Sequence, residues 1–510
     1  MESVKKTKKM FKDRSVPLIG VIDIGTTTIK FILFSIDGDV VQESYKPIRQ
    51  IYPNKGWVEE DPIEMWDAVN SVVKHGLDKV DIDRVKSLGI CNQRESTLVW
   101  NKSNGKPLSN VVVWQDRRTS KRCNELKNQG LERLIKEKTG LILDPYFSAT
   151  KLEWILNNEN SLLRIAQQGK LCFGTVDSWI IFKLTGLHLT DFSNASRTLL
   201  FNINSLEWDQ ELLKIFGIPS SILPKVMPSF GYSVFGHTTN ESVFKKEIPI
   251  CSDLGDQQSA LFGQQCFSKG DIKSTFGTGS FMLVNTGNRI IKSNNNLLTT
   301  IFYGSSNKEI FYALEASIYN AGSVLQWLKE EINLINKYDE IETISPKYNY
   351  DDKLFFVPAF TGLGAPFWDP YARGLIIGLT RSTSKQDIIK AALESLAYRT
   401  EDVLQAIEKD TGFKISEIRI DGGVTKSKIF CKILADLTGV SVKVYKFKEF
   451  TALGAMYAAA IGIGIWNNPG DISGLKDIVI YEPKISSKVR ANLYKNWSRA
   501  VARAQKWEKI

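Results

Sequence analysis

Two short turns rich in glycine and threonine are the first places in this 510-residue chain where chemistry could be done. Gly25-Thr26-Thr27-Thr28 follows the apolar, β-branched run Leu18 to Ile24, and Gly277-Thr278-Gly279 lies within Lys273 to Val284, which reads as strand, turn, strand. Backbone N–H groups in such turns can cradle phosphate oxygens only where the side chains stay small. A carboxylate stands near each turn: Asp23 at the end of the first strand, and Asp256 in the polar, glycine-bearing stretch Asp253 to Gln257, read here as a turn. At a strand end beside phosphates, a carboxylate can hold Mg2+ through water or take the proton of a hydroxyl. Only three histidines exist, His75, His188 and His237, so base work is expected to fall to a carboxylate. Taken singly, each glycine-threonine turn or aspartate is also an ordinary turn former; the paired setting gives them weight.

The commoner nucleotide signatures are missing. There is no GxxxxGK followed by Ser or Thr, no HRD catalytic loop and no GxGxxG opening a helix, which disfavours the P-loop and protein-kinase folds.

The elements that must position these residues can be read around them. Leu18 to Ile24, Lys30 to Ser35 and the segment after the Asp37-Gly38 turn predict a three-stranded meander. Asp61-Pro62 opens a helix with an N-cap aspartate, proline at the first helical position and Glu64 behind it, and Trp66, Val69, Val72 and Val73 fall on one face. Val85 to Cys91 predicts a strand that delivers Arg94-Glu95 to its end, where ligand sites of α/β folds lie. Strand and helix alternate onward, so the class is α/β. Around residues 250 to 285 the pattern restarts with the apolar run Ile248 to Cys251, which suggests a duplicated unit closing on a shared ligand.

A chain of this length is too long for one core and predicts at least two domains. Its composition, 43% hydrophobic and 24% charged, is that of a globular protein. The weakly polar run Leu453 to Trp466 is interrupted by Gly454, Gly462 and Gly464 and is shorter than the ~20 residues a membrane span needs. Residues 1–15 carry Lys5, Lys6, Lys8, Lys9, Lys12 and Arg14 without an apolar segment and read as a basic, disordered tail, not a secretory signal. Cys91, Cys123, Cys172, Cys251, Cys266 and Cys431 form no CxxC pair, which argues against zinc sites and a disulfide framework and for a reducing, cytoplasmic setting. The net charge of +10 is spread along the chain, so no nucleic-acid partner is expected.

These residues belong to a longer set. The set comprises Asp23-Ile-Gly-Thr-Thr-Thr28, Gly56-Trp-Val-Glu-Glu-Asp-Pro62, Asn92-Gln-Arg-Glu95, Val113-Trp-Gln-Asp-Arg-Arg118, Asp144-Pro-Tyr-Phe-Ser148 with Lys151 and Trp154, Gly255-Asp-Gln-Gln258, Thr275-Phe-Gly-Thr-Gly279, Pro358 to Pro370, Asp421-Gly-Gly423 and Thr451-Ala-Leu-Gly454. Over roughly residues 16 to 510 the sequence resembles the FGGY sugar and polyol kinases, and within them the members that phosphorylate glycerol. The resemblance implies two ribonuclease-H-like domains of the actin and hexokinase type, 16–264 and 265–510, with the active site in the cleft between them and a hinge that closes. Leu453 to Trp466 would then be a buried helix of the second domain.

By matching position, Arg94, Glu95, Tyr146, Asp256 and Gln257 would hold the hydroxyls of glycerol, with Trp114 and Phe281 as apolar walls. A neutral polyol needs donors and acceptors matched to each hydroxyl, and an Arg-Glu pair offers both. Asp256 is the expected base. Asp23 and Asp256 would meet Mg2+ through water; Thr26, Thr27, Thr28, Thr278 and Lys30 would meet the phosphates of ATP, and Gly322, Gln326, Gly423 and Ser427 the adenosine. Lys30 replaces an arginine and Ser427 an asparagine common in bacterial members, and Asn240 to Glu247 lacks the glycines of their fructose 1,6-bisphosphate loop. The segment Pro483 to Asn492 does not match their regulatory-protein site either, so neither control is expected. A homodimer or higher homo-oligomer is expected. Two rivals stand beside this reading: an FGGY kinase for another polyol or ketose, and an ATP-binding scaffold of the actin or chaperone type.

Overall fold

The computed structural model describes residues 16–158, 160–305, 309–343, 350 and 353–508. The basic tail expected at 1–15 lies outside the described residues. Strands β1 (Leu18–Ile24), β2 (Thr28–Ser35) and β3 (Val40–Pro47) form the expected antiparallel meander, and β4 (Val85–Asn92) and β5 (Ile250–Gly255) add on the other side of β1 in parallel. The spatial order is β5-β4-β1-β2-β3. The inner strands read as unbroken apolar runs because helices cover both faces. Their register sets Asp23 opposite Lys30 on one side and Cys91 on the other, at the carboxyl end of β1.

The second half repeats this plan. Its strands are β6 (Ile272–Phe276), β7 (Ser280–Gly287), β8 (Leu298–Gly304), β9 (Ile310–Ile318), β10 (Glu417–Asp421), β11 (Ser441–Tyr445) and β12 (Ile478–Tyr481). Among the described residues they lie in the order β8-β9-β7-β6-β10-β11-β12. From β9 through β7, β6 and β10 to β11 the pairings run antiparallel, antiparallel, parallel, parallel, as they do from β3 to β5 in the first sheet. The echo heard in the sequence is thus a duplicated topology, and each copy places its glycine-threonine turn between its first two strands.

Helix α1 (Pro62–Gly76) starts where the sequence predicts: the Asp61 carboxylate accepts from Ile63 N at 2.8 Å, and Met65, Ala68, Val69, Val72 and Val73 are buried. Two predicted elements differ. Asp253 to Gln257 is not a turn: Asp253 to Gly255 complete β5, and Asp256 opens helix α2 (Asp256–Gly263). The strand also begins later than the apolar run, at Ile250. After helix α3 (Gly322–Glu330), the buried helix expected at 453–466 is observed as α4 (Phe450–Gly462). It does not belong to the second half alone, because it packs on the first sheet and across α2. A Cβ on Gly89 of β4 would come within 2.7 Å of Ala455 O, and one on Gly454 within 1.8 Å of Ser259 O. Ser252 Oγ donates to Ala455 O and Ser259 Oγ to Thr451 O, at 2.7 and 2.6 Å. Gly454 lets the two helix backbones touch, which locks helix α2, opened by Asp256, against an element contributed by the other end of the chain.

The long excursion between β4 and β5 builds a further layer of the first half, which carries Trp114 and Tyr146. A four-stranded sheet that includes Thr97–Asn101 and Leu171–Thr175 and the helix Ser148–Asn158 enclose a core of Phe147, Leu152, Ile155 and Phe173.

Candidate active site

Asp256 is the first residue of α2, its side chain about one-third exposed. One carboxylate oxygen caps its own helix by accepting from Gln257 N at 2.7 Å and also faces Arg94 Nε at 3.1 Å. Arg94 is almost fully buried, yet its Nε–H makes no aligned hydrogen bond, so this donor beside the carboxylate remains to be taken by a hydroxyl. Its other nitrogens are fixed: Nη1 donates to Glu315 Oε2 at 2.6 Å and Gln258 Oε1 at 3.1 Å, and Nη2 to Glu315 Oε1 at 3.0 Å and the Tyr146 hydroxyl at 3.5 Å.

Glu315 belongs to β9, in the second half, and is fully buried. It also accepts from Arg197 Nη2 at 3.0 Å, and Arg197 Nε donates to Glu95 at 2.6 Å. Two buried arginines and two buried glutamates thus form a closed, alternating network beneath the site. Burial opposes the charge on Glu315, but Arg197 and Arg94 outweigh it and hold the carboxyl at about 2. For Glu95, burial wins and its pKa is raised despite the same two arginines. Glu95 is also strained, with φ of 62°, in the left-handed region.

Aromatic rings wall the space beside Arg94 and Asp256. Trp114 meets Tyr146 and Phe281 edge to face, with centroids at 5.7 and 6.2 Å. Phe281 comes from β7 and Trp114 from the first half, so the wall spans the cleft. Trp114 Nε1 donates to Thr26 Oγ1 at 3.0 Å, joining the aromatic wall to the first phosphate-type turn.

In that turn Gly25 N donates to Thr28 O at 3.1 Å, Thr26 is half-buried and Thr27 exposed. Burial, with the Glu449 and Asp256 carboxylates adding and Lys30 opposing, pushes Asp23 up to about 7. An anion held in so unfavourable a place is one a nearby cation would stabilise. Lys30 is paired with Glu449, the residue that precedes α4. Among the described residues no three His, Cys, Asp or Glu side chains group tightly enough to ligate a metal directly.

The second turn is tied to α3: Gly322 N donates to Gly277 O at 2.8 Å, and Ala321 N and Ser323 N to Thr278 O at 2.9 and 3.1 Å, leaving the Thr278 side chain exposed. Glycine is forced at Gly322, where a Cβ would lie 2.6 Å from Gly277 O, and at Gly422, with φ of 97° and a Cβ 2.3 Å from Phe276 O. At Gly423 a Cβ would meet nothing within 4 Å, so protein packing does not demand glycine there. Gln326 bonds Glu330 along α3 at 2.7 Å, and Ser427 caps the helix Lys428–Thr438 and donates to Glu342. Both would have to exchange partners to meet an adenosine.

The structure brings together all the residues singled out for the polyol and the first turn. It adds four that sequence reasoning missed: Arg197, Glu315, Glu449 and Lys273. Lys273 on β6 is fully buried, donates to Gln257 Oε1, and reaches Thr275 Oγ1 at 3.1 Å.

Known proteins share this arrangement. The profile of the FGGY family of carbohydrate kinases matches through its N-terminal domain at residues 18–263 and its C-terminal domain at 272–463. Glycerol kinase 2 of Thermotoga maritima is 46% identical over 493 residues, covering 96% of this chain and 99% of its own. The glycerol kinase of a Thermoanaerobacter species is 46% identical over 494 residues, with the same coverage. The crystal structure of Plasmodium falciparum glycerol kinase with ADP superposes with a TM-score of 0.91 at 34% identity, covering 96% of this chain and 98% of that one. The chain therefore belongs to the FGGY family of carbohydrate kinases.

Proposed function

We propose that this protein is an ATP-dependent kinase that transfers the γ-phosphoryl group of MgATP to a terminal hydroxyl of glycerol, giving sn-glycerol 3-phosphate. The observation that carries this reading is the pairing of the unclaimed Arg94 Nε–H with the Asp256 carboxylate at 3.1 Å, under a wall of Trp114, Tyr146 and Phe281. A hydroxyl set there meets a donor for its oxygen and an acceptor for its proton, while the rings pack on the carbon backbone. The relatives named glycerol kinase, at 46% identity over nearly full length, support the same substrate.

Asp256 accepts the proton as the hydroxyl oxygen bonds to phosphorus and the bond to the β-phosphate oxygen breaks, releasing ADP. It need not be strongly basic, because the hydroxyl acidifies as that bond forms. Arg94, Glu95, Tyr146 and Gln257 orient the polyol. Thr26, Thr27, Thr28 and Thr278 meet the phosphates, and Lys30, released from Glu449, neutralises them. Gly322, Gln326, Gly423 and Ser427 line the adenosine end. Asp23 and Asp256 would hold Mg2+ through water, and the ion would supply positive charge against the phosphates.

The working division is 16–264 and 265–510, with closure of the cleft excluding water that would compete for the phosphoryl group. No helix among the described residues is long and apolar enough to cross a membrane, and a cytoplasmic homodimer or higher homo-oligomer accompanies the reading. Sedimentation at two protein concentrations tests the assembly.

The test of function is a coupled assay of ADP release from MgATP with glycerol, xylulose, ribulose, gluconate and erythritol side by side. Turnover with glycerol far above the others is expected. Preference for a sugar keeps the roles of Asp23 and Asp256 and overturns those of Arg94, Trp114 and Tyr146.

A further inference from the structure

Helix α2 is strapped at both ends to the second sheet. At its C-terminal end Gln264 Nε2 donates to Asp421 Oδ2 at 2.7 Å, and Arg419 Nη1 donates to Gln264 O and Gln265 O at 2.7 and 2.6 Å. At its N-terminal end Gln258 Nε2 donates to Thr300 Oγ1 and Ile301 O of β8, each at 3.2 Å, and the strap to β6 is Lys273, whose ammonium donates to Gln257 Oε1 and to Thr275 Oγ1. Thr275 is the register partner of Asp421, so both straps lead to the same pair of strands, and those strands run directly into the second glycine-threonine turn and the Gly422-Gly423 turn.

An ammonium is a donor only, so the Gln257 atom facing it must be the amide oxygen. With that oxygen engaged, Gln257 can turn only its NH2 toward the cleft, next to the Asp256 carboxylate. The N-terminal end of α2 then offers one donor and one acceptor side by side, which is what a hydroxyl giving up its proton needs and what an amide free to flip would not guarantee. Burial lowers the Lys273 ammonium to about 8, with Asp421, Asp256 and Glu315 opposing, so it stays mainly protonated near neutrality.

We propose that Lys273 is a positioning residue for polyol specificity, which fixes the polarity of the Gln257 amide from the opposite half of the molecule. The inference rests on the polyol reading of Gln257. It predicts that Lys273 touches no substrate and acts entirely through Gln257.

The test is a double-mutant cycle with Lys273→Met, Gln257→Ala and both together, reading KM for glycerol, KM for MgATP and kcat. Lys273→Met should raise KM for glycerol about ten- to hundredfold, as expected for losing a charge-assisted hydrogen bond, with KM for MgATP within about twofold. In the Gln257→Ala background the same change should add less than about twofold. Lys273→Gln, which keeps an N–H donor for Gln257, should restore most of the loss, and a KM for glycerol raised about tenfold or more in that variant overturns the proposal whether or not the methionine variant folds. Additive losses, or equal rises in both KM values, overturn the proposal. Gln257→Ala with unchanged KM for glycerol would instead remove the polyol role of Gln257 itself, and the inference with it. Loss of response to Lys273 alone, with Gln257→Ala still impaired, removes only the inference.

Discussion

Replacing Glu315 by glutamine isolates the charge that holds the polyol site together. The side chain is fully buried in β9 and receives three hydrogen bonds from two guanidinium groups, at 2.6, 3.0 and 3.0 Å. Its carboxyl is lowered from 4.5 to about 2, which corresponds to about 3 kcal/mol of stability. Removing one partner of a buried pair costs a similar ~3–5 kcal/mol, because the other charges stay buried. Because the folded pKa is depressed, the contribution is complete above the unfolded value near 4.5 and is lost as pH falls toward 2. Glu315→Gln should therefore melt well below the parent at pH 7, and the gap should narrow steadily between pH 5 and 3. Arg94 would keep its place beside Asp256 less rigidly, so KM for glycerol should rise about tenfold or more while KM for MgATP stays near the parent value. Circular-dichroism melts across pH and initial rates at two fixed substrates read both effects. A variant with parental melting at pH 7, or one whose deficit is the same at pH 7 and pH 4, refutes the reasoning.

Three further outcomes are expected. Asp256→Asn should lower kcat by about 10²- to 10⁴-fold with little change in KM for MgATP, and near-normal turnover in initial-rate assays would sink the base assignment. Asp253, whose carboxylate oxygens find no hydrogen-bond partner meeting ordinary geometry, is raised well above the carboxylate range by burial and by the Asp177 and Asp191 carboxylates, so the folded state holds its proton. That contribution is full below the unfolded pKa of ~3.9 and is lost as pH rises, so Asp253→Asn should melt higher than the parent at pH 8 and converge with it toward pH 4; a gap that widens on acidification contradicts this. Gly454→Ala would push a Cβ to 1.8 Å from Ser259 O and so prise α4 from α2; a loss of ~2 kcal/mol or more is expected in urea unfolding monitored by tryptophan fluorescence, and a neutral effect would mean the two helices can slide apart freely.

How much of this was legible in the sequence depended on whether the signal was local. β1 and its turn, the N-cap of α1 and the strand leading to Arg94 all carry their cause in adjacent residues, and the structure has them where apolar patterning and turn chemistry put them. The substrate roles of Tyr146, Trp114 and Phe281 came from family resemblance, since nothing in their own neighbourhoods marks them. Asp253 to Gln257 was misread because aspartate beside glycine ordinarily makes a turn; here Asp253 stays in the strand with its carboxyl held protonated beside Asp177. Ile463 to Trp466 was read into α4 for its apolar character, but the helix ends at Gly462 and Gly464 takes φ of 77°. Arg197, Glu315, Lys273 and Glu449 were missed because each is a single charge with no motif around it. A signal did exist for two of them: a lone glutamate within the apolar run Ile310–Ile318 and a lone lysine in the short strand before Gly277 are charges in central strands, where an unpaired one is too costly to keep.

Three of those residues, Glu315, Lys273 and Glu449, share a property that explains why the site is both buried and distributed. Glu315 and Lys273 come from the second sheet and hold Arg94 and Gln257 of the first half, and Glu449, just ahead of α4, holds Lys30 of the first half. Arg94, Gln257 and Lys30 are thus each oriented by a charge from the other end of the chain. A site held this way loses its orientation when the halves separate, since a buried guanidinium or ammonium without its partner is costly and will seek water. A nucleotide held, as proposed, at Gly277 to Gly279 and Gly422-Gly423, at the ends of β6 and β10, would therefore be felt at Arg94 and Gln257 without any contact between the two ligands. The shared strands would give that coupling a physical route: Thr275 pairs in register with Asp421, Lys273 lies two residue pairs away, and Gln257 is bound to Lys273.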